Sequence, residues 1–326
     1  MKQTILAACS FIAALTLGLS SCQKDQPKVP VKPVNPVNPD IPTPPEEKIE
    51  MPATISIEMH AGHLHGTSFH GNPSFSNIEF PDKGVQKVSF KLNADGKTYS
   101  IAEGNNPVRW KSHIIWSVEM VCLNKKGERI NNNFVKNGAE DLFQLFITAD
   151  NFRKYTPGSK TAGEPVTTTF GEVGAPFVYR DTNPEDGMYG HHHSGAPKVT
   201  LSGKCVGLKG YFHNSATEQS FIGIKERYLT YDLHLRMVRF ATPADKKHNG
   251  AYRPALAWDN AFTALTAFEL TIPIRVFTQS PGDDDEDTYL TDLCAEFGID
   301  RKKMDELYEE SWNAPIEGEG AEHYHM

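Results

Sequence analysis

Six stretches of the chain read as strands, and five of them carry hydrophobic residues at every second position. Residues 54–60 set Ile55, Ile57 and Met59 against Ser56, Glu58 and His60. Residues 85–92 align Val88, Phe90 and Leu92, and residues 114–122 align Ile114, Trp116, Val118, Met120 and Cys122. Residues 142–148 are shorter and apolar on both sides. Residues 228–240 place Tyr231, Leu233, Leu235 and Met237 opposite Asp232, His234 and Arg236, and residues 268–277 align Phe268, Leu270, Ile272, Ile274 and Val276. Successive strand side chains point to opposite faces, so each run predicts a strand with one buried and one wet face. Clusters of Gly, Pro, Asn and Asp bound the runs. The predicted fold class is mainly β: an antiparallel, sandwich-like body of one or two domains. Greek-key and jelly-roll variants are equally compatible with the pattern.

Helical periodicity is confined to the C-terminal part. Residues 289–297 and 301–312 read as two short helices, with Asp300 as the N-cap of the second, and residues 260–266 as a turn or two. If there are two domains, the break falls in the Gly- and Pro-rich stretch. That reading gives a β domain at 51–155, a connection at 156–197, a second β domain with its helices at 198–316, and a polar tail at 317–326.

The first fifty residues follow a different pattern. Lys2 precedes an apolar run at 4–19, which is too short and too early for a spanning helix and has the make-up of a signal peptide ending at residue 21. The run closes on Leu19-Ser20-Ser21-Cys22. This string resembles the lipobox of bacterial lipoproteins: a branched apolar residue, two small residues, then the cysteine whose thiol takes a diacylglyceryl group. The resemblance implies cleavage before Cys22, lipidation of Cys22 and attachment to a membrane through several acyl chains, a stable anchor. Gln23-Lys24-Asp25 is similar to the export tag of surface lipoproteins of the Bacteroidota, departing from it at Gln26 where a second acid is usual. That likeness implies the outer membrane, facing the cell exterior, and a TonB-dependent outer-membrane transporter as partner. Residues 27–47 are proline-rich and repeat Pro-Val-Asn-Pro. At about 3.1 Å per residue in polyproline II, such a stalk holds the body up to about 60 Å from the membrane.

Removing residues 1–21 takes away only Lys2. The mature chain keeps 32 basic against 41 acidic side chains, and its net charge goes from −8 to −9. This acidity, without any basic stripe, excludes nucleic acid as a partner. Cys9 leaves with the signal peptide, so Cys122, Cys205 and Cys294 remain beside the lipidated Cys22. No CxxC or CxxCH occurs, which leaves a disulfide framework, a zinc ribbon and covalent haem unsupported. Three thiols permit one bridge in an oxidising compartment, or buried single thiols.

Histidine carries the candidate chemistry. The chain has 13 histidines, and they cluster: His60, His63, His65 and His70 fall within 11 residues, His191, His192 and His193 are consecutive, and His323 and His325 stand near the last residue. A metal ion needs several ligands at one point. On an extended backbone His63 and His65 share a side, as do His191 and His193, and an i, i+2 pair can hold one ion at about 2.0–2.1 Å per nitrogen. Gly62, Gly66 and Gly71 allow bends that bring His60 and His70 toward the same point. The candidate ligands are therefore His60, His63, His65, His70, His191 and His193, with Glu58, His192, His323 and His325 as further candidates. Glu58 could ligate or hold a ring in its tautomer. Imidazole without thiolate suits zinc or copper(II), and also nickel or iron. The isolated His113, His213, His234 and His248 read as structural or exposed residues. The acidic loop 281–287 lacks the spacing and glycine of an EF-hand, so it reads as a solvated loop.

These features predict a lipid-anchored surface protein that captures or handles a transition metal. Haem held by the same histidines is one alternative, although seven clustered histidines exceed what one haem uses. A metal-free adhesion or glycan-binding module is a second, with Trp110, Trp116, Trp258 and Trp312 as sugar platforms or core residues. A metallohydrolase is a third, because three histidines and a water also make a catalytic site. The sequence contains no HExxH, GxSxG, Walker A or dinucleotide fingerprint, so enzymatic activity is the less favoured reading.

Overall fold

The computed structural model describes residues 50–71, 84–111, 115–173, 176–189, 198–212, 228–277, 286–313 and 324–326. The signal peptide, Cys22, the Gln23-Lys24-Asp25 tag and the stalk lie outside the described residues. So do His113, His191, His192, His193, His213 and His323, as well as most of the acidic loop.

Two sheets carry the body. The larger contains β1 (Thr54–His65), β2 (Ser68–Gly71), β3 (Val85–Leu92), β4 (Tyr99–Gly104) and β6 (Ile115–Leu123), together with β8 (Phe177–Tyr179), β11 (Lys209–Phe212) and β16 (Tyr324–His325). The smaller runs β5 (Val108–Lys111), β15 (Thr266–Phe277), β12 (Tyr228–Arg239), β7 (Phe143–Lys154). Two-residue ladders join β9 (Thr182–Asn183) to β10 (Thr200–Leu201) and β13 (Lys247–His248) to β14 (Ala251–Tyr252). Pairing is antiparallel except between β15 and β5. The fold is mainly β and antiparallel, as the alternation predicts.

Ile55, Ile57, Met59, Trp116, Val118 and Met120 from the larger sheet meet Leu229, Tyr231, Leu233, Leu235, Leu270, Ile272 and Ile274 from the smaller in one buried cluster. Each of those side chains leaves water almost completely, a gain of about 1.5–3 kcal/mol for a large apolar residue. Each sheet draws strands from both sides of residues 156–197, and β8 and β9 lie within that stretch. Residues 49–326 form one compact unit.

The C-terminal helices are α1 (Glu286–Phe297) and α2 (Arg301–Asn313). Asp300 caps the second, its Oδ1 accepting the Lys303 N–H at 2.9 Å. No helix among the described residues is long and apolar enough to cross a membrane. Cys122, Cys205 and Cys294 are free, with Cys122 buried in the core.

Candidate metal centre

The first histidine cluster forms a hairpin. β1 continues past His60 to His65, turns at Gly66 (φ 66°) and returns as β2. The register pairs His63 with His70, Leu64 with Phe69 and His65 with Ser68. The hairpin needs a glycine at residue 62. A Cβ there would lie 2.3 Å from the His70 carbonyl oxygen and 2.5 Å from the Phe69 ring. The glycines thus bring His70 against His63 rather than against His60.

Strand alternation separates these histidines. Ile55, Ile57, Met59 and Ala61 form the buried face of β1, and His63 is the next position on that face. His60 stands on the opposite face. It is buried, its backbone N–H donates to Ser117 Oγ at 3.2 Å, and its Nε2 lies 2.8 Å from Glu58 Oε1. The His60 hydrogen bond, with Lys87 3.5 Å away, holds the Glu58 carboxyl below its usual range although burial opposes this. Glu58 therefore orients the His60 ring, the second of the two roles open to it.

His63 and His70 are in ring contact, with centroids 5.0 Å apart and planes at 74°. His70 is 5 % exposed, and the Nδ1 atoms of both rings are buried. Two imidazoles on one tetrahedral ion, each nitrogen about 2.0–2.1 Å from the metal, have centroids about 5 Å apart. The centroid distance of the pair matches this figure.

A third histidine joins this row from the far end of the sequence. β16 pairs with the free side of β2, with Tyr324 opposite Gly71 and His325 opposite His70. His63, His70 and His325 thus occupy one rung across three adjacent strands. The side chains of His65 and His325 lie outside the described residues. Contacts on the opposite face hold the rung in place. Met326 exchanges two backbone hydrogen bonds with Phe69, at 2.9 and 3.1 Å, and packs with Phe69 and Tyr211 in a buried cluster. Arg180 Nη2 donates to the Met326 carbonyl at 3.2 Å, and the Tyr211 hydroxyl donates to the Thr67 carbonyl at 3.0 Å. Sequence spacing offers no sign of Arg180 or Tyr211, because both are remote in sequence from the first histidine cluster and from His325.

Among the described residues no group of three or more His, Cys, Asp or Glu side chains is placed to hold a metal ion. The isolated His234 has partners of its own. Its Nδ1 lies 3.1 Å from Glu269 Oε1 and its Nε2 lies 3.1 Å from Asp150 Oδ1. The hydrogen bond to Glu269 raises the imidazole pKa against the effect of burial, and His234 lowers that of Glu269. His248 is exposed on the short β13 ladder. No family model, curated protein or solved structure matches the chain.

Proposed function

We propose that this chain is a surface lipoprotein, held on the outer membrane by lipid on Cys22, that binds a transition metal, zinc or copper(II), for capture or handling. One observation carries the metal reading: the register sets His63, His70 and His325 on a single rung, with the first two rings already 5.0 Å apart. Three imidazoles without thiolate suit these ions, and the fourth coordination position is open to water, His65 or a delivered ligand. The anchor reading is supported by Leu19-Ser20-Ser21-Cys22 and by the proline-rich stalk that follows.

Metal analysis tests the site. Loaded with zinc or copper(II) and desalted, the wild type should retain about one ion per chain, and His63→Ala and His70→Ala should lose it. Retention should also fall below about pH 6.5, where protons compete for the ring nitrogens. Equal, substoichiometric metal in all three proteins would sink the proposal. For the anchor, Cys22→Ala should move the protein out of the membrane fraction and abolish labelling with palmitate.

A further inference from the structure

The outward face of the smaller sheet carries a second feature, away from the histidine rung. A cavity of about 620 Å³ opens beside Trp258. Trp110 and Trp116 are core residues, 6 % and 2 % exposed, whereas Trp258 is only half-buried and lines this cavity. Its ring is fixed from several sides. Phe146 and Phe262 meet it in T-shaped contacts at 6.1 and 5.9 Å, and its indole N–H donates to Asn260 Oδ1 at 3.3 Å. The Arg236 guanidinium lies over one face of the ring, 4.8 Å from its centroid.

The polar groups around it are equally constrained. Arg236 makes a two-point contact with Glu269, Nε to Oε2 at 3.0 Å and Nη2 to Oε1 at 2.9 Å, and also donates to Thr148. His234 Nδ1 lies 3.1 Å from the same Glu269 Oε1. The Arg236 and Glu269 charges therefore neutralise each other within the lining. Asn260 spends its carbonyl oxygen on Trp258, which leaves its NH₂ group to donate, and the exposed Thr263 adds a hydroxyl.

We infer that this cavity is a binding site for a neutral hexose unit of a glycan. A pyranose ring has an apolar C–H face that seeks an aromatic surface, and a rim of hydroxyls that both donate and accept. The part of the rigid indole that lines the cavity beside Arg236, bordered by a carboxylate acceptor, an amide donor and a hydroxyl, meets both needs. The volume is within the range for small-molecule sites. Anionic ligands fit less well, because the Arg236 charge is already taken by Glu269 and, among the described lining residues, Lys97 is the one further cation.

Isothermal titration of the metal-free protein with maltohexaose, cellohexaose, laminarihexaose, mannohexaose and xylohexaose tests the site. At least one should bind saturably. Trp258→Ala should weaken that binding by about tenfold or more, and Asn260→Ala by about threefold or more. Thermal melts check that each variant is folded; if Trp258→Ala is not, Asn260→Ala decides. Absence of binding by all five sugars, or undiminished binding in the folded variants, would overturn the assignment. Metal loading plays no part in either outcome.

Discussion

Glu296 offers a sharp test of how the C-terminal helices are locked to the sandwich. On the parallel pair β15–β5, Arg275 stands directly opposite Arg109, so two guanidinium groups project side by side. Alone they would repel. Glu296 from α1 enters between them, accepting from Arg109 Nε at 2.9 Å and from Arg275 Nη1 at 2.7 and 2.8 Å, and its Oε2 also accepts the Gly158 N–H at 3.0 Å. Its carboxylate side chain is 0 % exposed, and the two arginines are 19 % and 15 % exposed. Replacing Glu296 with Leu leaves two adjacent, largely buried cations and an unpaired Gly158 N–H. Breaking a buried pair from one side costs about 3–5 kcal/mol. With a urea m-value of about 3 kcal/mol/M, the midpoint should fall by about 1–1.7 M. Glu296→Gln keeps the shape without the charge and should lie between this variant and the wild type. Adding Arg109→Leu to Glu296→Leu should recover part of the loss, because one of the two orphaned charges is then gone. The measurement is equilibrium urea unfolding followed by circular dichroism. A Glu296→Leu midpoint within about 0.2 M of wild type would show that the triad contributes nothing measurable and refute the reasoning.

Other consequences are as direct. The raised pKa of His234 means that the folded protein binds this proton more tightly than the unfolded chain, so its pairing stabilises fully below about pH 6.5 and is lost as pH rises through the raised value. The melting-temperature gap between wild type and His234→Gln should thus be larger at about pH 6 than at about pH 9, with a stability difference of at most about 1 kcal/mol; a gap that widens toward high pH would contradict the assignment. Gly62→Ala drives a Cβ into the His70 carbonyl, and should cost about 1–3 kcal/mol in thermal unfolding while lowering the metal content. Arg180→Ala removes the clasp on Met326 and should weaken metal binding by about tenfold in a chelator competition, though no ligand is touched.

The strands that alternate cleanly were legible in the sequence. Tyr231, Leu233, Leu235 and Met237 are buried with Asp232, His234 and Arg236 opposite, and Ile55, Ile57 and Met59 face the core. Other elements were hidden for physical reasons. β2, β5 and β11 have four residues each, too few to show a period. β7 runs to Lys154, beyond the apolar stretch 142–148; there Asn151 takes φ 55° and the register slips between Thr230 and Asp232, and a bulge of this kind reverses which side chains face inward, which hides the period. The histidine clusters were visible as composition, but their geometry was not. Parity along β1 is enough to separate His60 from His63. That His325 belongs beside His70 follows only from the pairing of β16 with β2, a contact across most of the chain that no local pattern encodes.

The central claim is that His325 completes a site begun by His63 and His70. It is tested most directly by zinc affinity, measured against a competing chelator, in His325→Ala and His323→Ala. The two substitutions remove the same chemistry two residues apart, and it is residue 325 that the register sets opposite His70. The account predicts that His325→Ala weakens binding by about a hundredfold or more, while His323→Ala changes it by less than about threefold. Equal losses in the two variants, or undiminished affinity in His325→Ala, would contradict it.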